Sequence, residues 1–448
     1  MKINKLAIAG SFLLRTLVCT NAFSLQNHNT PFLHPRPTLF STASPTDTNN
    51  NNSNNERRKV PSSKWKPKVQ SIDERHELRG KKQDTEIVGT QGFHHVEFYC
   101  GDAKSTAYRF SLALGMPITC VTNQSTGNDI CCSYGLTSGD IRFLFTAPYS
   151  NKIATKDDSN DAIESSTVYD APEPLPSFSN VKAHAFFQKH GLAAKAIGVE
   201  VKDATESYLA AVENGANGIT EPSRISSCHA ISKEFLEPEI NSLQCTMSEV
   251  ELYGDVVLRF ISYDYGEIDL STFDFSKFPI LPNYAPSPTL KHLYQRSNYG
   301  LHQIDHAVGN VPDLLETLQQ ISTFTGFHEF AEFTSEDVGT VDSGLNSVVL
   351  ASDSENVLLP INEPTEGKRK SQIQTYLEQN EGPGLQHLAL KTRDIFFTIG
   401  EMRKAEMMLG GFELMSRPSD GYYRELPDRL GDQLTVRIIS LYSIFSSS

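Results

Sequence analysis

The sequence predicts an α+β fold of two tandem domains, each a curved sheet built from a pair of βαβββ-like units, with helices outside and a cavity inside. Three observations predict it. Residues 93–102 (Phe-His-His-Val-Glu-Phe-Tyr-Cys-Gly-Asp) and 301–310 (Leu-His-Gln-Ile-Asp-His-Ala-Val-Gly-Asn) read as copies, with His94 matching His302, Val96 matching Ile304, Glu97 matching Asp305 and Gly101 matching Gly309. A second pair, 196–203 (Ala-Ile-Gly-Val-Glu-Val-Lys-Asp) and 387–394 (His-Leu-Ala-Leu-Lys-Thr-Arg-Asp), repeats the scheme. Each copy opens as a strand and runs into a segment of helical apolar spacing.

The first ninety residues are of another kind. Residues 6–19 form a short apolar run behind Lys2 and Lys5, too short to span a bilayer and followed by Thr20-Asn21-Ala22, as in a cleavable signal. No Asp or Glu occurs before Asp47, and 49–55 is a polar spacer without enough apolar surface to fold. The order of signal-like core, Ala22-Phe23 and acid-free Ser/Thr stretch resembles the two-part plastid presequence of algae with secondary plastids. A plastid address is expected; Arg15 inside the apolar core leaves a mitochondrial one open, and the cytoplasm is a further alternative. Residues 1–90 are expected to lie outside the fold as presequence and linker, with no membrane contact in the mature form.

The elements then follow in order. Asp102 can cap a helix carrying Ala107, Phe110 and Leu114 that ends at Gly115-Met116-Pro117. Strands 130–134 and 141–146 flank a Thr-Ser-Gly-Asp turn. Residues 250–263 form the closing hairpin-like strand of the first half. In the second half, Asn310 and Pro312 start a helix with Leu314, Leu315, Leu318 and Ile321 on one face, ending near Gly326. Strands 347–351 and 357–362 flank Asp-Ser-Glu-Asn. The expected boundaries are a first domain over 91–265, without metal, a linker over 266–299 and a second domain over 300–448.

Bulk properties narrow the functional classes. At 448 residues, the chain holds two such domains and not more than three. A net charge of −14 and no sustained basic stripe argue against a nucleic-acid partner; Lys368-Arg369-Lys370 reads as a solvated loop. Seven cysteines include no CxxC pair, so Cys131-Cys132 reads as idle thiols and neither a zinc ribbon nor a disulfide framework is expected.

The histidines carry the chemistry. In the alignment above the first copy has Phe98 where the second has His306, and Ala196 where the second has His387. Two imidazoles at equivalent strand positions project to one side of a sheet. Neutral imidazoles suit Fe, Zn, Cu or Ni, and a non-haem Fe(II) site would add one carboxylate.

Longer words then identify a resemblance. His-His-Val-Glu-Phe-Tyr-Cys-Gly-Asp-Ala (94–103), Leu-Thr-Ser-Gly-Asp-Ile-Arg-Phe-Leu-Phe-Thr-Ala-Pro-Tyr (136–149), Ile-Asp-His-Ala-Val-Gly-Asn-Val-Pro (304–312), Ser-Gly-Leu-Asn-Ser-Val-Val-Leu-Ala (343–351) and Leu-Gln-His-Leu-Ala-Leu (385–390) stand in one order. The chain is similar, from about 92 to 433, to the plant-like branch of the 4-hydroxyphenylpyruvate dioxygenase family. The resemblance implies tandem vicinal-oxygen-chelate domains, with His306 and His387 as two of three Fe(II) ligands. It also implies a pocket lined by Ser347, Asn362, Gln372 and Gln386 with Pro360 in its wall. On an ideal strand Gln386 would face away from His387, so a bulge is needed for both to serve one site. The implied partners are 4-hydroxyphenylpyruvate and O₂, the implied products homogentisate and CO₂, and the implied assembly a homo-oligomer. The implied place is tyrosine breakdown and the synthesis of plastoquinone and tocopherol. A 4-hydroxymandelate synthase, which acts on the same substrate, is the enzymatic alternative.

The pattern departs from the family in one place. The third ligand, a Glu in a Phe-Ile-Glu-Ile-Ile-Gln-type strand, has no counterpart, and Asp432 is the last acidic residue. Three readings follow: a reading frame that continues with the Glu-bearing strand, which the sequence favours; a truncated isoform; or a non-catalytic binding member. The 448-residue polypeptide itself is expected to make little homogentisate and to leave an open sheet edge after 436–445.

Overall fold

A computed structural model describes residues 84–149, 175–176, 178–225, 244–264, 280–286, 298–333, 345–366, 370–408, 410–414 and 424. The leader, Lys368-Arg369 and the strand expected over 436–445 lie outside the described residues.

The first unit runs β1 (Thr90–Tyr99), α1 (Ala103–Leu114), β2 (Ile118–Thr122), β3 (Cys131–Ser138) and β4 (Ile141–Pro148). Asp102 caps α1 by accepting the Ser105 amide at 3.0 Å, and Gly115 ends it in the left-handed region at φ 63°. Ala103, Ala107, Phe110 and Leu114 are buried on the helix face that packs on the sheet. The second unit follows α2 (Asn180–His190) and comprises β5 (Ala193–Val201), α3 (Ala204–Glu213), β6 (Gly218–Ile225), β7 (Gln244–Tyr253) and β8 (Val256–Asp264). With the short β9 (Ala285–Pro286) these strands form one nine-stranded sheet in the order β6-β7-β8-β5-β1-β4-β3-β2-β9.

The second half repeats the plan as β10 (Leu301–Asn310), α4 (Leu314–Thr325), β11 (His328–Phe333), β12 (Leu345–Ala351), β13 (Leu358–Pro364), α5 (Gln372–Gln379), β14 (Gly384–Thr392) and α6 (Ile395–Met407). Its five-stranded sheet has the order β11-β12-β13-β10-β14. In both sheets the first strand pairs in parallel with the last strand of its own unit and antiparallel with the next unit. Within the described residues, β14 is an edge strand. No described helix is long and apolar enough to cross a membrane.

Four smaller expectations need correction. The cap of α4 is Asp313, whose carboxylate accepts the Glu316 amide, because Asn310 is still in the strand ladder beside Asn362. Leu315 is 61% exposed, one step off the face that buries Leu314, Leu318 and Ile321. Residues 84–89 are folded rather than free: the Ile87 amide donates to the Thr325 carbonyl at 2.9 Å, and the Thr85 hydroxyl donates to the Gly326 carbonyl at 2.8 Å. Residues 280–286 are not linker, since Ile280, Leu281 and Tyr284 are buried and β9 pairs with β2.

The largest correction concerns how the halves align. The β1–β5 ladder slips between Thr90 and Gly92, Phe93 and His95, and Glu97 and Phe98. The β10–β14 ladder slips between Leu301 and Gln303, Ile304 and His306, and Val308 and Gly309. Superimposing these bulges, together with the caps Asp102 and Asp313 and the helix-ending Gly115 and Gly326, makes His95 the counterpart of His306. Phe98, which the sequence words align with His306, falls opposite Gly309. The first half therefore does carry a histidine there. The second equivalence has a structural basis in the same register, because Ala196 faces Glu97 where His387 faces Val308. Short words of similar chemistry align in more than one way, whereas bulges set register physically.

The β3–β4 turn docks the first half onto the opening of β10. The Asp140 amide and Ser138 hydroxyl both donate at 2.7 Å, to the carbonyls of His302 and Leu301. Gly139, at φ +57°, is required here because a Cβ would lie 2.5 Å from the His302 carbonyl oxygen.

Candidate metal centre

A bulge in strand β10 immediately precedes His306. Asp305 is the extra residue of a bulge, so His306 faces Ala389 across the ladder and lies on the same face as Val308 and Asn310. On β14 the bulged residue is Gln386, which brings His387 opposite Val308 and onto that same face. The bulge that the sequence requires for Gln386 and His387 to serve one site is present. The two imidazole rings meet edge to face, with centroids 5.9 Å apart and an interplanar angle of 75°. Two rings bound through nitrogen at about 2.1 Å to one ion would have centroids roughly 5 Å apart, so a small rotation suffices.

Each imidazole is oriented by the residue in the bulge before it. The His306 Nδ1–H donates to Asp305 Oδ2 at 2.8 Å, and the His387 Nδ1–H donates to Gln386 Oε1 at 2.9 Å. Both acceptors are oxygens without a proton, so in both rings the lone pair is on Nε2, the nitrogen suited to a metal. Burial pushes the Asp305 carboxyl up, but the hydrogen bond from His306 and the contact with Lys391, 3.1 Å away, hold it at about 2. His306 and Asp305 are 19% and 15% exposed, so the ring is held without being sealed from a ligand.

The polar residues expected around the pocket divide into two groups. Ser347 and Asn362 are buried and face each other across β12 and β13, with Pro360 buried in the same strand facing Val349. Asn362 lies beside Asn310, whose side-chain oxygen accepts its amide at 3.3 Å, and so shares the face that carries His306. Gln372 differs: it is the first residue of α5 and is exposed, with Ser371 as the cap. Burial of Ile373 turns the preceding residue outward.

Among the described residues, no group of three His, Cys, Asp or Glu side chains could hold a metal ion. The donor chemistry still fits a divalent transition metal, because two imidazoles present Nε2 on one face. The Glu expected as third ligand has no counterpart in the sequence, and the strand expected over 436–445, which carries no carboxylate, lies outside the described residues. Sequence reasoning missed Asp305 as the partner of His306 and Asn310 as the partner of Asn362. Each is adjacent to its partner, one along the chain and the other across the ladder, and only the bulges and strand pairing reveal the contact.

No protein-family model matches the chain. It is 46% identical over 352 residues to the 4-hydroxyphenylpyruvate dioxygenase of Arabidopsis thaliana, covering 77% of this chain and 69% of that protein. It is 46% identical over 344 residues to the Daucus carota dioxygenase, with the same coverage, and 31% identical over 347 residues to that of Pyricularia oryzae, covering 76% and 72%. Among solved structures, a variant of 4-hydroxymandelate synthase from Streptomyces coelicolor superposes with a TM-score of 0.55 at 15% identity, covering 79% of this chain and 82% of that one. That likeness is one of fold, and the fold is α+β of the vicinal-oxygen-chelate kind.

Proposed function

The chain belongs to the 4-hydroxyphenylpyruvate dioxygenase family, and from that premise we propose that His306 and His387 hold a ferrous ion at which 4-hydroxyphenylpyruvate and O₂ are converted to homogentisate and CO₂. One observation carries the assignment of the site: two imidazoles with the same tautomer share one sheet face with ring centroids 5.9 Å apart. Bound there, Fe(II) supplies open coordination positions and the redox chemistry of an oxidation whose electrons come from the keto acid itself.

The chain's own residues bind and orient. Asp305 and Gln386 occupy Nδ1 of each ring and so leave Nε2 as the nitrogen that would hold the ion. Ser347 and Asn362 offer a hydroxyl and an amide, which can orient a phenol or a carboxylate without competing for iron. Pro360 shapes the wall, while Gln372 at the start of α5 contacts substrate only if that end of the helix turns inward. The leader supports a plastid address for the protein.

Product analysis tests this reading. The full chain is supplied with Fe(II), ascorbate and 4-hydroxyphenylpyruvate; homogentisate, expected in small amount from a sequence without the Glu ligand, that disappears in His306→Ala supports the dioxygenase. Formation of 4-hydroxymandelate would reassign the reaction. The expected Glu ligand has no counterpart in the sequence, and the second reading is a member that only binds. It predicts retained binding of a substrate analogue by calorimetry with no product and no retained iron.

A further inference from the structure

The first sheet contains a buried ionic cluster that the proposed reaction does not use. Arg259 on β8 is fully buried and makes three charge-assisted contacts: Nε donates to Glu249 Oε1 at 2.8 Å, Nη2 to Glu97 Oε2 at 2.7 Å and Nη1 to His95 Nε2 at 2.8 Å. Thr146 donates to the other oxygen of Glu97 at 2.6 Å, and Thr220 to that of Glu249 at 2.8 Å. His95, Gly198, Arg259 and Glu249 lie side by side across β1, β5, β8 and β7.

The tautomers match those of the second half. Because a guanidinium can only donate, His95 accepts at Nε2 and carries its proton on Nδ1, which donates to His94 Nδ1 at 2.7 Å. His94 in turn donates from Nε2 to the Tyr263 hydroxyl at 2.7 Å, which donates to the Ile280 carbonyl at 3.0 Å. His94 occupies the bulge position that Asp305 occupies in β10, and His95 the position of His306. In each sheet, then, a bulged residue takes the Nδ1–H of the next histidine and leaves an Nε2 lone pair facing one point. In the second sheet that point suits a metal ion; in the first it holds a guanidinium between two carboxylates.

We propose that the first sheet holds a cation site of the same design as the His306 centre, with the Arg259 side chain as its resident cation, and that His95, Glu97 and Glu249 accept a free guanidinium or a divalent metal ion once that side chain is cut back. The cluster keeps the first half closed to metal in the native chain. The proposal does not depend on the iron reading, and its test uses no catalysis.

The test is Arg259→Ala in the full chain carrying His306→Ala and His387→Ala, so that the second sheet contributes no metal binding. Removing one partner of a buried ion pair is expected to lower the melting temperature by about 10 °C. Guanidinium chloride at 20 mM, far below denaturing concentration, is expected to recover at least half of that shift, measured against 20 mM sodium chloride. Co(II) is expected to recover a similar share and to give a visible ligand-field band. Both recoveries are expected to vanish when His95→Phe or Glu249→Gln is added. Where Arg259→Ala does not fold unaided, the yield on refolding from urea with and without each ion is the readout. Arg259→Lys keeps a charge and is expected to fall between wild type and Arg259→Ala, whereas Arg259→Met keeps length alone and is expected to gain nothing over Arg259→Ala. Failure of both ions to recover the alanine variant, recovery that survives the added substitutions, or wild-type stability in Arg259→Met would overturn the proposal.

Discussion

The carboxylate of Asp305 holds the Nδ1–H of His306, the next residue along the strand, at 2.8 Å. Neighbours on a regular strand point to opposite faces, so this contact exists only because Asp305 is the extra residue of a bulge. Gln386 and His387 repeat the arrangement on β14.

The proposed metal site rests on both imidazoles. His306→Ala and His387→Ala should each lower Co(II) affinity by at least tenfold, read from the visible spectrum, with a melting temperature within a few degrees of wild type. Equal Co(II) binding by either variant and wild type would place the metal elsewhere.

Asp305→Asn keeps the shape and removes the charge that makes the His306 ring a stronger donor. Loss of such an outer partner typically costs about 10–100-fold in metal affinity. Titration of the variant with Co(II) should show a loss in that range, larger than that for Gln386→Ala, whose acceptor is neutral.

Deleting Gln386 should do more than truncating it. The bulge would close, and the residues on one side of it would move to the opposite face of the sheet. Gln386→Ala should retain the fold and part of the Co(II) binding, whereas the deletion should abolish binding and lower soluble yield.

Acid should destabilise the first half. Burial holds His94 well below the ordinary imidazole range, helped by Arg142 and Arg259; burial also lowers His95, followed by His94, Arg259 and Arg142. A folded pKa below the unfolded value means stability that is complete above about pH 6.5 and is lost as pH falls toward the folded value. Each ring contributes a slope of up to about 1.4 kcal/mol per pH unit in that window. Urea unfolding of His94→Asn between pH 7 and pH 5 should show a shallower fall than wild type.

Asn310 should control the amide of Asn362. Asn310→Leu removes the acceptor 3.3 Å from the Asn362 side chain, and both residues are buried. Calorimetry with a substrate analogue should show binding weakened by about 2–10-fold, as expected for one net hydrogen bond, while Asn310→Asp, which keeps the acceptor oxygen, should bind more tightly than Asn310→Leu.

The sequence carries the repeat plan because strands and helices announce themselves locally. Asp102 before Ala103 and Gly115 after Leu114 are caps that a single turn of backbone demands, and both are legible without coordinates. Leu315 was misplaced because the apolar run at the start of α4 is wider than the face that the sheet can cover. The matching of Phe98 with His306 failed for a related reason: similar short words leave register open, and ladder slips at Phe93/His95 and Ile304/His306 decide it.

What the sequence determined alone was the order of its units and the family to which they belong; from thirteen histidines it nominated His306 and His387. Tertiary structure decided which residues stand beside them. The Asp305 and Gln386 acceptors, the Asn310–Asn362 pair and the guanidinium held by His95 all depend on strand pairing between segments far apart in the chain. A bulge displaces the chain by one residue, which reverses the facing of a side chain, and no local composition records that displacement.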